Sequence, residues 1–219
     1  MADVRDMYMV HTMVRRELRL LPQLFRDVDP GDTARAAVVA EHAELLLVGL
    51  HLHHEGEDLI LWPLLRERSG AQAEEIVPAM EEQHHGIDEA LASVSALLPD
   101  WRSTAGNGQE LGAACEALLE RAVEHMALEE KEILPLAAEH VTDVEWAGLG
   151  EHGMGKIPKK DLPLIFGMLM YEADPAVVKV VLSHVPLVAR VLLPLVAPRQ
   201  YAKYAKRVHG TTTPPRIGS

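Results

Sequence analysis

His53 and Glu57 stand four positions apart, and so do His125 and Glu129. On an α-helix, residues i and i+4 share a face one turn apart, so each pair can address a single point. An imidazole and a carboxylate placed this way are metal ligands. The pairs are not isolated. Each lies in a passage reading His-x3-Glu-acid-x4-Pro-Leu, and the two passages are 72 positions apart. A further histidine precedes each passage, His11 before the first and His84 before the second, 73 positions apart.

Four imidazoles and two carboxylates suit two metal ions held close together, with each carboxylate free to bridge. The set contains no thiolate, and iron, manganese and zinc all accept such ligands. The repeat selects His53 and Glu57 over His54 and Asp58, because Pro63 follows His53 by ten positions as Pro135 follows His125. The same alignment makes Asp58 and Glu130 equivalent and sets both off the metal face. For the upstream partner the offset selects His84, with His85 as the alternative. Other histidines have plainer readings. His42, three turns before His53, lines the bundle beyond the metals, and His51 supports a ligand. His140, His152, His184 and His209 are surface or packing residues. A lone buried histidine is more often a hydrogen-bonded core residue than a ligand, so the joint pattern carries the metal reading.

The elements that must hold these residues are helices. Strand patterns are almost absent and helical periodicity is strong. Val10, Val14, Leu18, Leu21 and Phe25 form one apolar stripe on a first helix that ends at Asp29-Pro30-Gly31. A second helix spans roughly 33–68 with Pro63 expected to kink it, a third roughly 73–101, and a fourth roughly 109–141 with Pro135 near its end. Short loops between long helices predict an all-α, up-down-up-down four-helix bundle over residues 1–141. Residues 142–219 predict a helical extension packed on the bundle, in short pieces separated at Asp174-Pro175, Val185-Pro186 and Ala197-Pro198. Its tail from Thr211 reads as disordered. Tyr171, Tyr201 and Tyr204 of the extension read as packing residues.

The chain has 219 residues, 48% hydrophobic and 25% charged, which places it among ordinary globular proteins. The single cysteine, Cys115, excludes an internal disulfide and a cysteine-based metal site. A net charge of −12 argues against nucleic acid as a partner. The charge is divided: residues 1–155 carry −19 and residues 156–219 carry +7, so the two parts attract. The N-terminus has no signal-peptide pattern, and no run reaches the roughly 18 apolar residues of a membrane span. The expectation is a cytoplasmic protein with no membrane partner, monomeric or homodimeric.

Residues 5–140 resemble the hemerythrin HHE cation-binding family. The matching residues are His11, His53-His54-x2-Glu57-Asp58 with Trp62-Pro63, Glu82-Gln83-His84, and His125-x3-Glu129-Glu130 with Leu134-Pro135. Residues 142–219 resemble, more loosely, the helical extension of some actinobacterial members. The resemblance implies a four-helix bundle around a non-haem di-iron centre with an oxo or hydroxo bridge. It implies His11, His53, Glu57, His84, His125 and Glu129 as ligands, and O2, NO or H2O2 as the small-molecule partner.

Oxygen-carrying hemerythrins have His-x3-His on the third helix, whereas the position four after His84 is Asp88. With one imidazole fewer, either an iron keeps an open or water-filled position, or Asp88 or another oxygen donor fills it. That difference favours turnover of peroxide or nitric oxide, a catalase- or peroxidase-like activity, over reversible O2 carriage. The alternatives are a reversible O2 or NO carrier or sensor, and an iron-storage or iron-sensing module. An apolar extension over one end of the bundle would restrict access to small uncharged molecules.

Overall fold

The computed structural model describes residues 1–217. Every regular element among them is a helix. They are α1 (Arg5–Arg26), α2 (Thr33–Gly56), α3 (Trp62–Ser69), α4 (Ala71–Thr104), α5 (Gln109–Leu128) and α6 (Leu134–His140) of the bundle. The extension adds α7 (Asp143–Gly155), α8 (Leu162–Met170), α9 (Pro175–Ser183) and α10 (Leu187–His209).

The bundle is a square in which α1 neighbours α2 and α5, and α4 neighbours the same two. Its starts and stops follow local chemistry. Asp32 caps α2 by accepting from the Arg35 backbone N–H. Thr142 and Glu145 form a capping box at the start of α7. Gly108 at the α5 entrance lies against the end of α1, where a Cβ would stand 2.1 Å from the Phe25 carbonyl oxygen. Only glycine permits that approach.

Pro63 and Pro135 do not end their helices. Thr33–Ser69 is one continuous helix. Immediately before each proline the chain switches for one turn to the wider π spacing, over Glu57–Leu61 and Glu129–Ile133. A proline removes one i→i−4 bond, and a π turn absorbs that loss without breaking the helix. Both π turns begin on the glutamate of a His-x3-Glu pair.

Two apolar clusters fill the bundle. One contains Leu18, Leu21, Phe25, Leu50, Ile87, Val94 and Leu118. The other contains Leu61, Trp62, Leu65, Val77, Met80, Ile133 and Trp146. Each of the four bundle helices passes from one cluster to the other, and the histidine-bearing segments are the crossing points. Thr33–Ser69 has an 18-residue window with a mean hydropathy of 1.2. It packs as a core helix of the bundle.

The extension packs on the outside. α7 lies on α2, α8 and α9 lie on α1, and α10 pairs with α8 and reaches α2. The α8–α10 crossing is tight, because a Cβ on Gly167 would stand 2.3 Å from the Ala197 carbonyl oxygen. The expected attraction of a basic extension for an acidic bundle is seen in Arg207 on Glu41 at 2.8 Å, while Arg16 on Glu172 at 2.9 Å is an ion pair of the reverse sense. The predicted break at Ala197-Pro198 is absent. α10 runs through Pro194 and Pro198, and the Arg199 side chain donates to the Leu195 carbonyl. Within the expected disordered tail, Pro214 O accepts from the Tyr171 hydroxyl at 2.9 Å and the Ile217 N–H donates to Glu172 at 2.8 Å. The remainder of that tail, residues 218–219, lies outside the described residues.

Candidate metal centre

Where the four bundle helices cross between the two apolar clusters, seven side chains converge. α1 supplies His11. The α2 helix and its π turn supply His53, His54 and Glu57. α4 supplies His84, and α5 with its π turn supplies His125 and Glu129. All but His53 are buried. They form two groups. His54, Glu57, His84 and His125 have ligand atoms within 4.8 Å of one another, and so do His11, His53 and Glu129. The groups adjoin: His53 Nε2 lies 3.1 Å from Glu57, and His125 Nε2 is 3.9 Å from Glu129 and 4.0 Å from Glu57.

The six residues singled out by spacing are thus all in one place, and a seventh, His54, joins them. The i, i+4 template admits one residue per turn, so it chose His53 and set His54 aside. Both neighbours face inward here, just before the π turn at Glu57. The adjacent His-His pair was the available signal. His54 places a fifth imidazole in the cluster, where the third helix has only one. Asp88 does not reach the centre. It is half exposed and lies 3.4 Å from His51, so neither of these two supports a ligand. His85 is exposed beside Glu89, which leaves His84 as the residue on the inner face. None of the three extension tyrosines reaches the centre.

The donor set has the character of a metal site because its inward atoms lack other partners. Nε2 of His11 and His53, both nitrogens of His54, and all four carboxylate oxygens of Glu57 and Glu129 are buried without a hydrogen bond. His11 Nε2 and Glu129 Oε2 stand 3.0 Å apart without hydrogen-bond aim. His84 Nε2 and His125 Nε2 face each other at 3.2 Å. Leaving so many buried polar atoms unpaired costs on the order of 1–3 kcal/mol each. Metal ions at the two groups would remove most of that cost, leaving one nitrogen of His54 unpaired.

Three outward nitrogens, by contrast, have partners. His84 Nδ1–H donates to Asp58 at 2.7 Å, and Asp58 also accepts from Trp62 Nε1 at 2.8 Å. His11 Nδ1–H donates to Glu130 at 2.9 Å, and Glu130 also accepts from Arg15 at 2.6 Å. His125 Nδ1 lies 3.3 Å from Gln83 Oε1. Such partners fix the tautomer and point Nε2 inward. Asp58 and Glu130 are off the metal face, as the alignment has them, but they are built into the centre all the same.

The charges follow from this layout. Burial opposes a charge on His11, but Glu129 and Glu130 outweigh it and raise His11 to about 9. Burial is likewise outweighed at His84, which Asp58 and Glu57 raise to about 9. Burial and the neighbouring imidazoles push His53 down to about 3 and hold His54 well below its usual range. Glu57 is shifted upward by burial and by Glu129 beside it. The pocket therefore pairs neutral His53 and His54 with His11 and His84 drawn to the charged form by the carboxylates around them, so protons stand where the crowded Glu57–Glu129 pair calls for positive charge.

Two cavities meet at His53. One, of about 150 Å³, is lined by Val10, Met13, Leu52, Trp146, Leu149 and Met154 among others. The other, of about 70 Å³, lies between α1, α2 and α8 and is lined by Leu18, Leu46, Ile165 and Met168. Both linings are overwhelmingly apolar and share Val10, Met13, Gly49 and His53. The extension thus walls an apolar approach to the His11–His53–Glu129 group.

Comparison with known proteins agrees with this geometry. The hemerythrin HHE cation binding domain family matches residues 2–137. Among curated proteins, the iron-sulfur cluster repair protein YtfE of Edwardsiella ictaluri (strain 93-146) is 27% identical over 124 residues. That alignment covers 55% of this chain and 56% of YtfE, so the chain spans only about half the length of this relative. No solved structure matches the chain.

Proposed function

Because this chain belongs to the hemerythrin HHE cation binding domain family, we propose that its His/Glu centre holds two iron ions and reacts with a small uncharged molecule. Hydrogen peroxide, nitric oxide and dioxygen are the candidates. One observation carries this reading: the two halves of the centre are unequal, and the poorer half is the accessible one. His54, His84, His125 and Glu57 offer four donors, whereas His11, His53 and Glu129 offer three. Both apolar cavities open on His53.

Iron bound there would supply electrons and Lewis acidity. The chain's own residues do the rest. Asp58 and Glu130 hold the imidazoles of His84 and His11 in the ligating tautomer. Val10, Met13, Leu52 and Leu149 exclude ions and bulk water from the approach while admitting small neutral molecules. Glu57 and Glu129 place two carboxylates between the histidine groups, where each can bridge.

The test is to mix iron-loaded chain with hydrogen peroxide, and separately with nitric oxide, and count molecules consumed per chain. Turnover of many equivalents, lost together with iron in His125→Ala, supports the reading. One equivalent bound and released unchanged would make the chain a carrier or sensor. No reaction by fully loaded protein would overturn it. A second reading, iron handling, is favoured by the likeness to a protein named for iron–sulfur cluster repair. Its mark would be ready transfer of iron to an acceptor without consumption of oxidant.

A further inference from the structure

We propose that Glu17, His42 and His209 form a second, separate metal site for one divalent transition cation such as Zn2+ or Fe2+. Glu17 comes from α1, His42 from α2 and His209 from the end of α10, and their ligand atoms lie within 4.8 Å of one another. His42 stands eleven residues before His53, about 16 Å away along the helix at ~1.5 Å per residue. This is therefore not a part of the first centre.

The distances suit a single ion. Glu17 Oε2 is 3.4 Å from His42 Nε2 and 3.1 Å from His209 Nε2. A tetrahedral ion with bonds of about 2.1 Å separates its ligand atoms by about 3.4 Å. His42 is fully buried, and its Nε2 has no hydrogen bond. One proton between Glu17 and His209 satisfies that pair and still leaves the His42 nitrogen unpaired. A cation at the meeting point satisfies all three.

The outward atoms of His42 and Glu17 are already occupied, as those of His11 and His84 are in the first centre. His42 Nδ1 lies 3.1 Å from the Tyr204 hydroxyl. Glu17 Oε1 accepts from the Tyr201 hydroxyl at 2.8 Å and from Arg16 Nε at 3.0 Å. Arg16 pairs with Glu17 Oε1 through Nε at 3.0 Å and Nη2 at 2.9 Å, and also reaches Glu172 and the Met168 carbonyl, so its charge sits on the outer oxygen of Glu17 while Oε2 faces the two histidines. Two imidazoles and one carboxylate, with His42 and Glu17 oriented by partners, are a ligand set that binds Zn2+ and Fe2+. Both tyrosines and one ligand belong to α10, so an ion here would fasten the extension to the bundle. Reading His42 and His209 one at a time, as a lining residue and a surface or packing residue, missed the site. Only the docking of α10 brings them together.

The experiment loads the full chain with Zn2+ against a competing chromophoric chelator and measures zinc per chain for the wild type, His209→Gln and His42→Gln. The expected result is one tightly bound zinc fewer in each variant, whatever number the first centre takes. Equal zinc in all three proteins would overturn the site. Should both variants fail to fold, hydrogen exchange of residues 197–209 in the wild type decides. Slowing on zinc addition is expected, and exchange indifferent to zinc would contradict the proposal.

Discussion

Asp58 and Glu130, 72 positions apart in the chain, hold equivalent places on the two sides of one centre. Asp58 accepts from His84 and Glu130 accepts from His11, each at the Nδ1 that faces away from the inner ligand atoms. Each is steadied by one more donor, Trp62 for Asp58 and Arg15 for Glu130. The repeat therefore includes the supports of the ligands as well as the ligands.

Asp58→Asn and Glu130→Gln keep an acceptor but remove its charge. Each should weaken metal binding by about 10–100-fold, the usual effect of losing such a support. The loss should fall on the ion held by His84 in the first variant and by His11 in the second. Chelator-competition titrations of both variants check this. Unchanged affinity in both would show that the carboxylates are bystanders.

His54→Ala tests the seventh residue. If His54 is a ligand, the variant should lose iron from the four-donor group and hold about one ion fewer in the first centre. Full iron content in this variant would return the centre to six donors.

Gly49 lines both cavities, and a Cβ there meets nothing within 4 Å. Gly49→Leu should therefore fold, and it should gain up to ~1 kcal/mol of helix stability over glycine. Its side chain would obstruct the approach to His53. The expected result is normal iron content with reaction at least about tenfold slower, which corresponds to ~1.4 kcal/mol of added barrier. Stopped-flow mixing with peroxide measures it. An unchanged rate would mean that the small molecule enters elsewhere.

Cys115 is fully buried, and burial pushes its thiol up to about 12. It is protonated and shielded through the physiological range, so the native chain should resist thiol reagents at pH 8. Denatured chain should react with one equivalent. Fast labelling of native protein would contradict the packing of α5 in the bundle core.

Gly167→Ala tests the extension. The added methyl meets the Ala197 carbonyl, so α8 and α10 must separate. Overpacking of this kind costs typically about 1–3 kcal/mol. A lowered melting temperature and faster hydrogen exchange in α10 are expected. A variant as stable as the wild type would mean that the α8–α10 crossing is looser than described.

Much of this architecture was legible locally. The stripe from Val10 to Phe25 and the short loops sufficed for a helical bundle, and the spacing of His53–Glu57 and His125–Glu129 sufficed to put six residues in one place. What local pattern missed has physical reasons. A template of one residue per turn cannot show that His53 and His54 both face inward. Proline marks a lost hydrogen bond, but sequence does not say whether the helix ends, as expected at Pro198, or accommodates the loss. His209 meets Glu17 across nearly the whole chain, and no spacing rule reaches that far.

The central claim is that the seven converging residues hold a pair of ions. X-ray absorption at the iron edge of the iron-loaded chain tests it most directly, because it reads the distance from one iron to the next. The account predicts an iron–iron vector within about 4 Å, the spacing of two-metal sites, surrounded by nitrogen and oxygen ligands only. Fully loaded protein in which every iron lacks an iron neighbour would contradict it.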